Sequence, residues 1–428
     1  MSEQFSEAGG FALSVPRPVL LCFRNPATLV AARKLAFAGS KPIALVAPSD
    51  VRDLAELADE NDCEEVWTDL PDLENSLVGA DLHLMPTIAP PDRQVHNGDV
   101  YLRTGGSTGR PKLVLRSRSA NAAEVSRVLD RFGRGLPRLE ALVSTVPFEH
   151  MFGYTLGLQL GEAKGIAMQT RRPVFPADLR NEIAEVRNRN KADKVWLVTT
   201  PTHLRSYGRL KDRIEHVAGI VSATSPMDPG LAIGAKKVFG APILEIYGST
   251  ETGAVASRVW DGAETDSPVW TPLTGAELTV GDDNRPTWIL ENGQASVTLN
   301  DLVSREGQGF RLLGRADDAL KVAGKQQRLG TLTHLLGQAP GVRDGAYVKL
   351  DDSEQSAEPV LGMVVALEPG GQVSTVLDHL SGKVDPVFLP RRIAVVDRLP
   401  RTETGKLRKS DGQQVLARHG RNRHEFQD

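Results

Sequence analysis

The segment Tyr101–Lys112, YLRTGGSTGRPK, is the most informative stretch of this sequence for its fold. Its central run, Thr104–Gly109, consists of glycines and short hydroxyl-bearing residues. Glycine reaches positive φ without strain, so such a run can turn its amide N–H groups toward one concavity and bind an anion. Lys112, which follows Pro111, adds a positive charge where the loop ends. A surface loop without a ligand has the same composition, so the run alone leaves both interpretations open.

The spacing argues against one common phosphate loop. The P-loop of kinases and GTPases carries Gly-Lys-Ser/Thr after four variable residues. Here the residue five positions after Gly105 is Arg110, and the residue five positions after Gly106 is Pro111. A Walker-type nucleotide site is therefore disfavoured.

A second motif, EIYGSTETG at 245–253, follows an apolar strand-like run. Its carboxylate, Glu251, is the kind of oxygen ligand that a hard cation bridging phosphates prefers. The alternative is a helix that begins after a strand and is capped by Ser249 or Thr250.

Two further segments lie nearer the C-terminus. In the segment 299–325, LNDLVSREGQGFRLLGRADDALKVAGK, the carboxylate of Asp301 is suited to accept two hydroxyl donors, although a solvated turn explains the GRADD pattern equally well. In the segment 399–409, LPRTETGKLRK, Lys406 follows Thr-Gly, and taken alone it is more often a surface charge.

The four motifs in this order resemble the adenylate-forming (ANL) superfamily of acyl- and aryl-CoA synthetases, peptide-synthetase adenylation domains and luciferase. The resemblance covers residues 101 to about 410. It implies ATP and Mg²⁺ as cofactors and the thiol of CoA or of a carrier protein's phosphopantetheine as acceptor. It also implies a role for each of several site residues. Lys406, Thr250 and Glu251 would be catalytic, and Glu251 and Thr108 would bind the metal. The residues that would bind the nucleotide are Thr104, Gly105, Gly106, Ser107, Thr108, Gly109, Lys112, Tyr247, Asp301 and Arg315. Asp317 would be the hinge about which a mobile domain turns.

In relatives the acid lies between the helix after a PxxH pattern and the strand before YGSTE. This likeness makes five residues candidates for the wall of an acid pocket: His150, Gly153, Ser222, Thr224 and Gly248. His150 is an equally good candidate for a hydrogen-bonded core histidine.

Composition limits the partners. The formal net charge is -3, so no overall basic field exists to hold a nucleic acid. No stretch reaches about 18 uninterrupted apolar residues, and the acidic start lacks the pattern of a secretory signal. Cys22 and Cys63 form no disulfide framework. We expect a cytoplasmic protein that spans no membrane, and the family resemblance implies a small carboxylic acid as its partner.

The chain alternates short apolar runs with amphipathic helices to about residue 250, which indicates helix-covered parallel sheets. One of these runs is GIAMQT at 165–170, which we expect to be a strand. Ser119 is the predicted cap of a helix whose Val125, Val128, Leu129 and Phe132 form one buried stripe. Short strand patterns with hairpin-type turns follow at 271–302 and predict a small antiparallel β unit.

We therefore expect an α/β large N-terminal domain with that β unit, and a small mobile α+β C-terminal domain, as in the adenylating-enzyme fold. The predicted boundaries are 1–314 for the large domain and 315–428 for the lid. Within the large domain we expect a shortened α/β part at 1–100, a nucleotide-binding part at 101–270 and the β part at 271–314.

The expected function is ATP-dependent activation of a fatty or aromatic acid to an acyl-adenylate, followed by transfer to a thiol. The sequence looks like a compact member with trimmed N-terminal subdomains. The alternative is a homologue that binds a nucleotide or an acyl-adenylate and has lost turnover.

Overall fold

A computed structural model describes most of the chain. The described residues are 18–24, 26–39, 41–46, 63, 65–68, 81–84, 99–104, 112–169, 171–173, 175–208, 210–262, 266–290, 293, 295–316, 318–350, 360–402, 405 and 407–426. They fall into two compact units. One contains the described residues up to Leu102 together with Leu115–Arg118, and the other contains Arg103–Val114 and the chain from Ser119.

The first unit is built on a sheet with strand order β4-β3-β1-β2-β5-β6. The strands are β1 (Val19–Cys22), β2 (Ile43–Leu45), β3 (Glu65–Thr68), β4 (Asp81–Leu84), β5 (Val100–Thr104) and β6 (Lys112–Arg116), with helix α1 (Pro26–Ala38) between the first two. β1 is parallel to β2 and β3, and β2 is parallel to β5. Because both faces of β1 are buried, it consists only of apolar residues and Cys22.

The second unit is built on a sheet with strand order β12-β11-β10-β9-β8-β7. Strands β7 to β10 are parallel, and β11 and β12 are antiparallel to their neighbours. The strands are β7 (Leu142–Ser144), β8 (Val195–Thr199), β9 (Val217–Ser222), β10 (Ile243–Ser249), β11 (Gly253–Trp260) and β12 (Thr271–Pro272). The helices are α2 (Arg118–Phe132), α3 (Leu160–Ala163), α4 (Pro176–Asn190), α5 (Pro201–Tyr207) and α6 (Pro229–Phe239), with a π-helix at Gly153–Gln159.

Helices cover both faces of this sheet. Helices α4, α5 and α6 bury Leu179, Leu204 and Leu231 against one face. Helix α2 and the π-helix bury Val128 and Leu156 against the other. Because β7 to β10 are parallel, their carboxyl ends meet along one edge of the sheet, where ligands bind in open α/β sheets.

Smaller sheets complete the second unit. Three antiparallel strands are β13 (Ala276–Val280), β14 (Pro286–Leu290) and β15 (Ala295–Thr298), and two hairpins are β16 (Asp301–Glu306) with β17 (Gly309–Arg315) and β18 (Ala319–Val322) with β19 (Lys325–Arg328). The last sheet has the order β20-β21-β22-β23. Its elements are α7 (Leu329–Gly337), β20 (Val342–Leu350), β21 (Val360–Leu367), α8 (Val373–Ser381), β22 (Arg392–Val395), α9 (Lys409–His419) and β23 (Arg421–Asn422), with 3-10 turns at Pro386–Phe388 and Arg423–Phe426.

The predicted fold class is confirmed, and two local predictions are wrong. Helix α2 begins at Arg118, whose amide N–H bonds the Asp99 carboxylate, so Ser119 lies inside the first turn and is not the cap. The apolar run 165–170 forms no strand in its described residues. Instead, the Gln169 side-chain amide bonds both backbone groups of Ser144, and so replaces a neighbouring strand at the edge of the sheet. The boundary at 314/315 stays a prediction.

Across the described residues, no helix combines the length and the apolar character needed to cross a bilayer.

Candidate active site

Hydroxyl groups and one histidine are bonded together at the carboxyl ends of β7 and β8. The Thr145 hydroxyl lies 2.8 Å from the Thr199 hydroxyl and 2.9 Å from Nδ1 of His203. Burial, together with the nearby Arg172 charge, lowers the pKa of His203 to about 4. The imidazole is therefore neutral near pH 7, and it fixes the first turn of α5 to the sheet.

The turn between β10 and β11 carries the second motif. Thr252 is fully buried, and its hydroxyl accepts a hydrogen bond from the Ser249 amide at 3.0 Å, while the Thr252 amide donates to the Ser249 hydroxyl. A methyl group on Gly248 would lie 2.0 Å from the carbonyl oxygen of Gly253, so the two backbones approach too closely for any side chain. The motif forms a tight hairpin and not the helix N-terminus that was the alternative.

Helix α2 holds this hairpin through two buried charged side chains. The Glu124 carboxylate accepts the Ala254 amide at 2.9 Å and the Thr155 hydroxyl at 3.4 Å. Arg127 donates to the carbonyl oxygens of Ala254 and Thr252. The hairpin backbone is thus fixed from both its N–H and its C=O groups.

Tyr247, Asp301 and Arg315 come together although they are distant in sequence. The Tyr247 hydroxyl donates to the Asp301 carboxylate at 2.8 Å, and Asp301 is the register partner of Arg315 across β16 and β17. Burial and the Asp301 charge raise the pKa of Tyr247, so its hydroxyl keeps its proton. The ring packs among Trp270, Trp288 and Phe310. The Tyr247–Asp301 hydrogen bond thus lies at the edge of a buried aromatic cluster, which holds the Tyr247 hydroxyl in place.

Thr250 and Glu251 lie at the tip of the same hairpin, where Thr250 is half-buried and Glu251 is exposed. Within the described residues, no group of three or more His, Cys, Asp or Glu side chains could hold a metal ion. Magnesium is usually held by one or two carboxylates together with substrate phosphates and water. A single exposed carboxylate fits that mode and does not fit an all-protein metal cage.

The candidate wall residues divide into two groups. Ser222, Thr224 and Gly248 lie at the ends of the neighbouring strands β9 and β10. Strand alternation places the Ser222 side chain on the face of Ile220, which α4, α5 and α6 cover. Thr224 is exposed and has φ +81°, a strained value for a β-branched residue.

The other two wall candidates follow β7. The His150 imidazole Nδ1 accepts the Phe152 amide at 3.3 Å. A methyl group on Gly153 would lie 2.0 Å from the carbonyl oxygen of Pro147, so glycine is required for the π-helix to start against this segment. Both residues thus have packing roles, whatever else they contact.

The loop before the closing lysine docks on α5. Gly405 has φ +83°, and a methyl group there would lie 2.1 Å from the Thr202 hydroxyl oxygen. Arg401 binds both Asp344 carboxylate oxygens at 2.7 Å and donates to the Gly405 carbonyl oxygen at 2.9 Å. The C-terminal part of the chain thereby presents this loop to the edge where β8 ends.

Several predicted residues lie outside the described residues. These are the loop residues Gly105, Gly106, Ser107, Thr108 and Gly109, the hinge Asp317 and the lysine Lys406. For Thr104 and Lys112 the backbone is described, and they end β5 and begin β6.

Sequence reasoning missed Glu124, Arg127, Thr202 and Arg401. Only Glu124 gave a signal, because a charged residue there lies on the predicted buried stripe of the helix, next to Val125 and four residues before Val128.

Comparison with known proteins agrees with this geometry. The family model described as AMP-binding enzyme matches residues 25–294. Indoleacetate–CoA ligase from Aromatoleum aromaticum is 27% identical over 350 residues, which cover 74% of this chain and 66% of the ligase, so the match spans about two thirds of that relative's length. ATP-bound MatB from Rhodopseudomonas palustris superposes with a TM-score of 0.74 at 17% identity and covers 94% of this chain and 89% of the other. O-succinylbenzoate coenzyme A synthetase from Bacillus subtilis, in complex with ATP and magnesium, superposes with a TM-score of 0.72 at 16% identity and covers 93% and 90%.

The fold is that of the adenylate-forming enzymes. The chain belongs to the AMP-binding enzyme family of the adenylate-forming superfamily.

Proposed function

We propose that this protein activates a carboxylic acid with ATP, releasing pyrophosphate, and transfers the acyl group from the acyl-adenylate to the thiol of CoA. The observation that carries the proposal is the Tyr247–Asp301 hydrogen bond. It joins the hairpin that bears Thr250 and Glu251 to the strand pair that bears Arg315. If these residues bind the adenosine and the α-phosphate as proposed, this hydrogen bond would hold the two groups of residues in a fixed relation.

Asp301 is suited to receive the ribose. An ionised carboxylate offers about four lone-pair sites, so it can accept the Tyr247 hydroxyl and two ribose hydroxyls together. Since Tyr247 keeps its proton, the hydroxyl always donates and fixes the carboxylate orientation. The ring of Tyr247 would lie beside the adenine.

The reaction needs two negatively charged partners to meet. The acid's carboxylate oxygen attacks the α-phosphorus of ATP, the bond to pyrophosphate breaks, and AMP becomes a good leaving group on the acyl carbon. Lys112, Lys406 and the Thr250 hydroxyl would stabilise the charge on phosphorus, and loss of one well-aimed donor costs about 3 kcal/mol or a hundredfold in rate. Magnesium held by Glu251 and Thr108 would neutralise charge on the phosphates.

The acid is proposed to be aromatic in the first instance, because one relative is named for indoleacetate. Fatty acids are the second class to test, with His150, Gly153, Ser222, Thr224 and Gly248 as wall residues. We further propose a hinge at Asp317, so that the part from residue 315 turns between the two half-reactions. A carrier-protein thiol as acceptor and a cytoplasmic location belong to the same proposal.

The test is pyrophosphate release with a panel of aromatic and fatty acids, each with and without CoA or a carrier protein. Wild type should respond to at least one acid, and Lys406→Ala should lose acyl-adenylate formation while still transferring the acyl group from a supplied acyl-adenylate. Lys237→Ala, at an exposed lysine of α6, is the matched control. ATP binding without release for any acid would favour the non-catalytic alternative.

A further inference from the structure

Thr224 adopts a backbone conformation that its own side chain disfavours. It is β-branched and has φ +81°, two residues beyond the end of β9. Such strain persists only where the surroundings over-determine the backbone, and it concentrates at ligand sites. Upstream, Ser222 is fixed by register pairing with Glu245 on β10 and with Thr199 on β8. The downstream restraint must come from elsewhere.

That restraint acts on Met227. Its amide N–H donates to Oε1 of Glu245 at 3.2 Å, and its carbonyl oxygen accepts from Nη2 of Arg258 at 3.4 Å. Both polar backbone groups of one residue are thus held by the two members of one ion pair. The next residue, Asp228, caps α6 through the Leu231 amide at 2.9 Å.

The ion pair is buried and fully engaged. Nε of Arg258 lies 2.7 Å from Oε2 of Glu245, which also accepts the Trp260 indole N–H at 2.7 Å. The guanidinium lies 4.7 Å from the centre of the Trp260 ring and 4.4 Å from that of Trp270. Glu245 is only 2% exposed. A buried ion pair is seldom the least costly way to stabilise a fold, since apolar replacements are often as stable.

We propose that Glu245 and Arg258 are positioning residues that clamp Met227 and thereby hold the strained Ser222–Met227 segment as a preformed wall for the acid. This rests on the proposed function for the identity of the ligand. Neither side chain touches the acid, and each acts through the backbone of Met227. The strained Thr224 then meets the substrate without first having to be ordered.

The test uses the full-length protein with Arg258→Lys, Thr224→Gly and the double variant, and with Arg138→Lys as an exposed control. Lysine keeps the charge beside Glu245 but cannot also donate to the Met227 and Pro268 carbonyl oxygens as the guanidinium does. Glycine adopts φ +81° without strain, so the wall in Thr224→Gly needs the clamp less. If Arg258→Lys folds poorly, the double variant Glu245→Gln with Arg258→Met, which removes both charges, takes its place in the test.

The measurements are the KM for acid and for ATP, and hydrogen exchange of the amides of residues 222–228. Loss of one hydrogen bond should raise the KM for the acid and the exchange rate about tenfold, while the KM for ATP changes less than about twofold. Both effects should shrink to about threefold or less in the Thr224→Gly background. Equal changes for acid and ATP, or undiminished effects beside Thr224→Gly, would overturn the proposal.

The two readouts separate the two claims. Hydrogen exchange needs no acid, so it judges the clamp even where no acid supports pyrophosphate release. If no acid supports pyrophosphate release but hydrogen exchange responds to Arg258→Lys as expected, the proposed function is wrong and the clamp stands. If hydrogen exchange of residues 222–228 is unchanged in Arg258→Lys, the clamp is wrong and the proposed function stands.

Discussion

Substitution of Gly405 by alanine tests whether the closing loop docks on α5 during adenylation. The added methyl group would lie 2.1 Å from the Thr202 hydroxyl oxygen, 2.5 Å from its Cβ and 2.9 Å from its Cγ2. The loop would have to retreat by about 1 Å, a displacement that can cost a hundredfold in rate when it misplaces a catalytic group. Alanine at φ +83° adds strain of about 1–2 kcal/mol.

Gly405→Ala should therefore slow acyl-adenylate formation at least a hundredfold, as measured by single-turnover pyrophosphate release. Thioester formation from a supplied acyl-adenylate should change less than about threefold, because that step uses another orientation of the lid in the proposed mechanism. The loss should be specific to the first half-reaction.

A second substitution isolates the steric part. Thr202→Gly removes the three atoms nearest to the new methyl group, at a stability cost of roughly 1 kcal/mol for glycine in a helix. Combined with Gly405→Ala it should recover at least about tenfold of the lost rate, the equivalent of 1.4 kcal/mol. Thr202→Ser keeps Oγ1 and Cβ and should recover nothing. A full rate in Gly405→Ala, or no recovery with Thr202→Gly, would refute the docking.

Three further predictions concern single side chains. Tyr247→Phe removes the hydrogen bond to Asp301 and should raise the KM for ATP about tenfold with the KM for the acid unchanged, as steady-state kinetics would show; equal changes in both would contradict it. Glu251→Gln should shift the magnesium concentration for half-maximal rate upward by about tenfold, and an unchanged magnesium titration would remove this carboxylate from the metal site. Because the pKa of His203 is lowered from 6.5 to about 4, its contribution to folding is present above pH 6.5 and is lost as the pH falls toward 4. Denaturant unfolding should show about 3 kcal/mol lost across that window in wild type and in the exposed-histidine control His419→Gln, and His203→Gln should lack this loss.

Local patterns predicted the elements that depend on local periodicity. The stripe Val125, Val128 and Phe132 is buried on α2, and the three strands at 276–298 form the antiparallel unit, because the apolar spacing of each segment suffices to specify its buried face. The prediction of a strand at 165–170 was wrong because one side chain, Gln169, completes the edge of the sheet. Hydrophobic periodicity gives no signal for such a contact.

The site was predictable only in its motifs. Tyr247 and Asp301 were each identified, yet their hydrogen bond joins residues 54 positions apart and follows from the tertiary fold. Thr202 and Gly405 approach each other only because the C-terminal part of the chain packs against α5. The charge of Glu245 inside an apolar strand was visible in the sequence, but the backbone that it holds was not.

The most direct test of the acyl-adenylate mechanism follows an oxygen atom. An acid labelled with oxygen-18 in its carboxylate is turned over with ATP and CoA, and the AMP is analysed by mass spectrometry. Attack of the carboxylate on the α-phosphorus, followed by thiol attack on the acyl carbon, leaves one labelled oxygen in each AMP. AMP without label, or label found in inorganic phosphate, would contradict activation through an acyl-adenylate.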